Sequence, residues 1–259
     1  MISSGFRELT RRQSGGRFAE LLKVQAKLAV REPYGLLAGI GLPAVLLAVF
    51  GFIGQAVPGK VGDSGQTIID LWTPTLLVIA FLFIATSLPN TLVRDRQIGW
   101  LRRVSTTPLS PAMLLAAQLI IDLVLAAAAV LIIIGGGALV FGASLHVQLL
   151  PFVVSLLLAI AELFALGLML VALVPSQTVN QVVAGVVVFA LMFLSGLWVN
   201  PAQVGDPLRT LMYYSPSGAA VRALLDAVFE GSVSYAALLT MAVYTVLFGF
   251  IAIRYFRWE

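Results

Sequence analysis

The chain has no cysteine, a single histidine (His146) and three lysines (Lys23, Lys27, Lys60) among its 259 residues. Without thiols it has no disulfide framework, no thiolate nucleophile and no cysteine metal site. One histidine cannot build a histidine metal cluster, so no metal is expected. Charge is scarce as well: 11% of residues are Asp, Glu, Lys or Arg, where a soluble domain carries about 25%. What fills the chain is apolar, 60% of residues with a mean hydropathy of +1.01. Runs of about 20 apolar residues, the length that crosses a bilayer, recur along it. The composition predicts an all-α polytopic membrane protein. The pI of 9.7 then reflects basic segments on one side of a membrane rather than a nucleic-acid partner.

Residues 1–33 read as a polar tail followed by an amphipathic helix, RFAELLKVQAKLAVREP. Phe18, Leu21, Leu22, Leu28 and Ala29 fall on one face, and Glu20, Lys23, Lys27 and Arg31 on the other. That pattern suits a helix in the membrane interface, or one packed on another subunit. With more than thirty mostly polar residues before it, the first apolar run is expected to be a retained signal anchor. Residues 34–259 read as one transmembrane domain with spans near 34–54, 70–92, 115–141, 148–174, 179–199 and 234–254. Gly135, Gly136 and Gly137 in the third span imply close helix contact or a bend. Tyr235 and Tyr255 bracket the sixth span as interfacial anchors.

The positive-inside rule sets orientation. With a cytoplasmic amino terminus, thirteen basic residues lie inside: Arg7, Arg11, Arg12, Arg17, Lys23, Lys27, Arg31, Arg94, Arg96, Arg102, Arg103, Arg254 and Arg257. Three, Lys60, Arg209 and Arg222, lie outside. Both termini are therefore expected to be cytoplasmic. The outer segment 200–233 is too apolar for a free loop and too short for a span. Ser215 as N-cap, Pro216 at N1 and Gly231 as terminator predict a re-entrant helical hairpin containing Pro201, Pro216 and Arg222.

The loop RDRQIGWLRRVSTTPLSP places four arginines within ten residues between the second and third spans. Ile98, Leu101 and Val104 give a short helix there an apolar edge, and Ser110–Pro111 starts the next helix. Taken alone, those arginines either address a partner or only enforce topology against anionic headgroups. Gly54–Lys60 fits GxxxxGK, but Val61 stands where a P-loop needs Ser or Thr for magnesium, and no strand–loop–helix setting surrounds it. Glu162 lies mid-span, where a charge costs roughly 2.5–3.5 kcal/mol on insertion scales. It is either a pathway residue or a protonated acid bonded to a neighbouring helix. Asp122, with Gln118 one turn before it, sits nearer the cytoplasmic end and reads as interfacial or as a second relay carboxylate.

The loop resembles the cytoplasmic signature of ABC-2 type permeases, the membrane subunits of ATP-driven exporters, daunorubicin-resistance-type permeases among them. Arg94–Asp95–Arg96, Gly99, Arg102 and Thr107–Pro108–Leu109–Ser110–Pro111 carry the match, with Trp100 and Asp95 departing from a frequent Thr and Glu. Two further matches are Phe193–Leu194–Ser195–Gly196 with Pro201, Ser215–Pro216 and Val221–Arg222, and Arg31–Glu32–Pro33 with Pro43. The resemblance implies a coupling helix, Arg94, Asp95, Arg96, Gly99, Trp100, Leu101, Arg102 and Arg103, that docks on an ATP-binding subunit. It also implies two copies of that subunit holding ATP and magnesium, a second permease chain, and no catalytic residue in this chain. Location in a bacterial inner membrane, with hydrophobic drug or lipid-like cargo leaving the cell as in multidrug efflux and antibiotic resistance, follows as an expectation. The competing expectations are export of polysaccharide, a proton-coupled transporter using Glu162 and Asp122, and a membrane scaffold.

Overall fold

A computed structural model describes residues 18–31, 36–56, 67–97, 111–143 and 148–255. Helix α1 covers 18–31. A π-helical turn Leu37–Gly41 runs into α2, Leu42–Ala56. The long helices α3 (Ile68–Gln97), α4 (Pro111–Phe141), α5 (Leu149–Leu173) and α6 (Gln177–Leu194) follow. After a 3-10 turn at Pro201–Gln203 come the short α7 (Asp206–Tyr213) and α8 (Pro216–Leu225). A π-helical turn Asp226–Glu230 then leads to α9, Tyr235–Tyr255. Six of these helices are long and apolar enough to cross a membrane: Leu37–Ala56, Ile68–Ser87, Leu115–Phe141, Leu149–Leu173, Gln177–Leu194 and Tyr235–Tyr255. These are the six spans expected from the sequence, and Tyr235 and Tyr255 are the first and last residues of the sixth helix.

Helix α3 is the axle of the bundle. Its residues Leu76, Leu77, Val78, Ile79, Ala80, Phe81 and Leu82 are all between 0% and 1% exposed. Seven consecutive residues take in every face of a helix, so α3 is enclosed all round. It packs against α2, α4, α5, α6 and α8, while α9 closes the outside of α5 and α8. Small residues make these approaches close, as expected where helices meet inside a membrane. On α5, Gly167 lies against the Ala85 carbonyl of α3, leaving no room for a side chain. That carbonyl is the one whose intrahelical partner is missing, because Pro89, four residues on, has no N–H. A glycine α-carbon set against it supplies the weak C–H···O contact common where helices pack. The triple glycine of α4 does not interrupt the helix, which runs unbroken to Phe141. Instead Gly136 and Gly137 lie beside Leu47 of α2 and Thr73 of α3.

One expectation needs correction. The fifth span ends at Leu194 rather than near 199. The Ser195 hydroxyl donates to the Met192 carbonyl at 2.7 Å, and Gly196 then turns the chain with φ 85°. On α1, Leu21 and Gln25 are buried against the bundle, while Leu28 is exposed. At 100° per residue, the packed face is centred between Leu21, Gln25 and Ala29, and Leu28 falls at its edge. Leu21 packs with Val93, Ala117 and Val171, from the ends of α3, α4 and α5. Helix α1 therefore clasps the end of the bundle at which the arginine-rich loop leaves α3.

Candidate functional site

The two ends of α3 carry two different surfaces. At its C-terminal end Arg94, Asp95 and Arg96 continue the helix without a break through Gln97. Gly99, Trp100, Leu101, Arg102 and Arg103 lie outside the described residues, as do Lys60, Val61 and His146. The backbone thus places the first half of the arginine cluster as an extension of the buried axle.

At the N-terminal end of α3 a cavity of about 790 Å³ opens between α2, α3, the turn after α6, and α8. Phe50 and Trp72 stack in its wall, ring centroids 4.0 Å apart and nearly parallel. Trp198, Asn200 and Pro201 line it from the turn. Tyr213 comes from α7, and Arg222, Asp226 and Glu230 from α8 and its terminal π-helical turn. The Arg222 Nε is 3.7 Å from the Asp226 carboxylate, and its guanidinium stands 5.1 Å from the centre of the Tyr213 ring. Burial raises the Asp226 carboxyl above its ordinary 3.8; a Ser234 hydrogen bond lowers it, Glu230 raises it and Arg222 lowers it.

This cavity is held open by a firmly built corner. The Gly218 N–H donates to the Ser215 hydroxyl at 3.1 Å, making Ser215 the N-cap with Pro216 at N1, as expected from the sequence. The Ser215 hydroxyl donates to the Met212 carbonyl at 2.8 Å, joining α7 to α8. Ser217 donates to the Leu191 carbonyl of α6 at 2.7 Å, an interhelical bond of a kind worth about 0.6 kcal/mol on average in a membrane. Tyr244 of α9 donates to the Tyr214 carbonyl at 3.2 Å. Gly231, in the left-handed conformation at φ 60°, ends the helical run. Alanines 219, 220, 223 and 227 are 0–1% exposed, so α8 is enclosed by α3, α5, α6 and α9. Asp206 and Arg209 form an ion pair on the exposed side of α7.

Glu162 is 0% exposed in α5, and neither carboxyl oxygen has a hydrogen-bond partner among the described residues. Asp122 is 1% exposed, so it is enclosed by protein rather than open to headgroups. Its Oδ1 accepts from the Gln118 amide at 3.4 Å, and its Oδ2 has no partner among the described residues. Helices α4 and α5 each pack on α3 and share no extended face with each other. The structure therefore does not bring Asp122 and Glu162 together as a carboxylate pair. Among the described residues no group of three or more His, Asp or Glu side chains could hold a metal ion.

Sequence reasoning named Pro201, Pro216 and Arg222 but missed Phe50, Trp72, Trp198, Tyr213, Asp226 and Glu230. One signal was available: Asp226 follows Arg222 by four residues, the spacing of a helical ion pair. Trp72 near the start of a span reads in sequence only as an interfacial anchor.

No curated protein matches the chain at a significant level. A family model described as ABC-2 type transporter matches residues 17–229, from the start of α1 to Phe229 in the π-helical turn that ends α8, including the arginine-rich loop. That match spans five of the six membrane helices and both surfaces at the ends of α3, and the chain belongs to the ABC-2 type transporter family.

Proposed function

We propose that the chain is the permease subunit of an ABC exporter, driven by ATP that a separate subunit hydrolyses. Two ATP-binding subunits, holding ATP and magnesium, dock on the segment from Arg94 to Arg103 of two permease chains. The arginine-rich end is cytoplasmic, both termini lie on that side, and the membrane is a bacterial inner membrane. The hairpin α7–α8 dips into the outer leaflet, and the cavity beside it is the exit for hydrophobic or lipid-like cargo.

The observation that supports this reading best is the continuity of α3. Its 30 residues span about 45 Å at 1.5 Å per residue. One helix, packed on five others, therefore joins the docking segment to the wall of the far cavity. A displacement imposed at Arg94–Gln97 would reach Ile68, Leu71 and Trp72 through one helix whose middle, Leu76–Leu82, is fully enclosed. The alternative, a proton-coupled transporter using Glu162 and Asp122 as relay carboxylates, draws less support, because the helices that carry them, α5 and α4, share no extended face.

Purification from native membranes tests the proposal. An ATP-binding polypeptide should co-elute, and the complex should hydrolyse ATP at a rate that depends on this chain. Cargo movement sustained by a proton gradient in reconstituted vesicles with no ATP-binding subunit would contradict it.

A further inference from the structure

We infer that the cavity at the N-terminal end of α3 is a binding site for amphiphiles with a cationic headgroup. Its volume of about 790 Å³ lies within the roughly 300–1,000 Å³ usual for drug-sized ligands. Its wall combines two recognition elements. The first is aromatic: the stacked Phe50–Trp72 pair, with Trp198 and Tyr213 around it. Aromatic faces attract a cation by their quadrupoles and an apolar body by its surface.

The second element is charge. Three ionisable side chains line the cavity, the carboxylates of Asp226 and Glu230 and the guanidinium of Arg222. Arg222 is committed on both sides, to Asp226 at 3.7 Å and to the Tyr213 ring at 5.1 Å. Glu230 is exposed and, among the described residues, accepts from the Ser232 hydroxyl, at 3.2 Å. Among the described residues, one carboxylate is thus left uncompensated beside an aromatic wall. An anionic headgroup would meet two carboxylates to one already engaged guanidinium, and a neutral one would leave the excess charge unanswered. The site belongs to this chain alone; only its role as a cargo exit rests on the exporter reading.

The test uses two ions of nearly the same shape and opposite charge, tetraphenylphosphonium and tetraphenylborate. Binding to the purified full-length protein in detergent is measured by equilibrium dialysis, with empty micelles subtracted. Tetraphenylphosphonium should bind saturably, one per chain, and at least tenfold more tightly than tetraphenylborate. The pair Asp226→Asn and Glu230→Gln should weaken it tenfold or more. Arg222→Gln, which frees Asp226 and the Tyr213 ring, should tighten it severalfold, where a purely structural role for Arg222 would weaken it. If the double variant is not monodisperse, Glu230→Gln alone, at an exposed residue, should weaken binding at least threefold. Equal affinity for the two ions, or carboxamide variants that fold and keep full affinity, would overturn the inference. Absence of saturable binding in the unmodified chain, purified with an active ATP-binding partner, would sink the site and leave the exporter reading standing.

Discussion

Reversing Arg102 and Arg103 together to glutamate is expected to release the ATP-binding subunit or to disconnect its ATP turnover from transport. A charge-assisted contact buried at an interface costs on the order of 2–5 kcal/mol to break. Two reversals replace attraction by repulsion at adjacent positions. In the proposed topology, the same change removes two of the charges that set the orientation. Thirteen inside basic residues less two leaves eleven, against three outside, which keeps the orientation bias. Reporter fusions at Ser105 and His146, reading inside and outside respectively, verify this in the same mutant. If the arginines served topology alone, the correctly inserted variant would keep its partner and transport at the normal rate. Co-purification and coupled ATPase activity separate the two outcomes.

Glu162→Met is expected to stabilise the protein and slow transport at once. A buried polar group with no partner carries its full desolvation cost, about 1–3 kcal/mol. Glu162 is fully enclosed with both oxygens unpartnered among the described residues. Methionine matches its length and removes that cost, so the unfolding temperature of the purified protein should rise. On the proposed exporter reading, such a carboxyl in the bundle interior serves a cavity or cargo that passes it. The accompanying fall in transport rate reports that use. A lower unfolding temperature for Glu162→Met would show that the carboxyl is bonded in the assembled protein, and that its role is packing.

The positions of the six spans were legible because hydropathy reports exclusion from water, and exclusion from water is what a bilayer requires. The arrangement of the spans around one another was not. In a soluble helix the apolar stripe marks the buried face, but here lipid and protein interior are both apolar. Leu76 to Leu82 of α3 are enclosed, yet nothing in their composition distinguishes them from Leu131, Leu139 and Val140 of α4, which are exposed. Small residues carried the better signal, as Gly136, Gly137 and Gly167 sit where helices touch. The caps at Ser215 and Gly231 were readable for a different reason: capping is local chemistry and needs no knowledge of neighbours. The cavity was missed because its wall draws on residues from Phe50 to Glu230, and no spacing rule joins positions that far apart. Of its charged residues Arg222 alone was singled out, by its place in the hairpin and in the family pattern.

The central claim is that the segment at the C-terminal end of α3 seats on an ATP-binding subunit. The chain has no cysteine, so Leu101→Cys supplies a single attachment point for a short photoreactive maleimide in native membranes. On illumination, the label should join this chain to a polypeptide that is itself labelled by a photoreactive ATP analogue, with ATP protecting the second label. A label that reaches only lipid, or only this chain, while transport continues at its normal rate, would contradict the account.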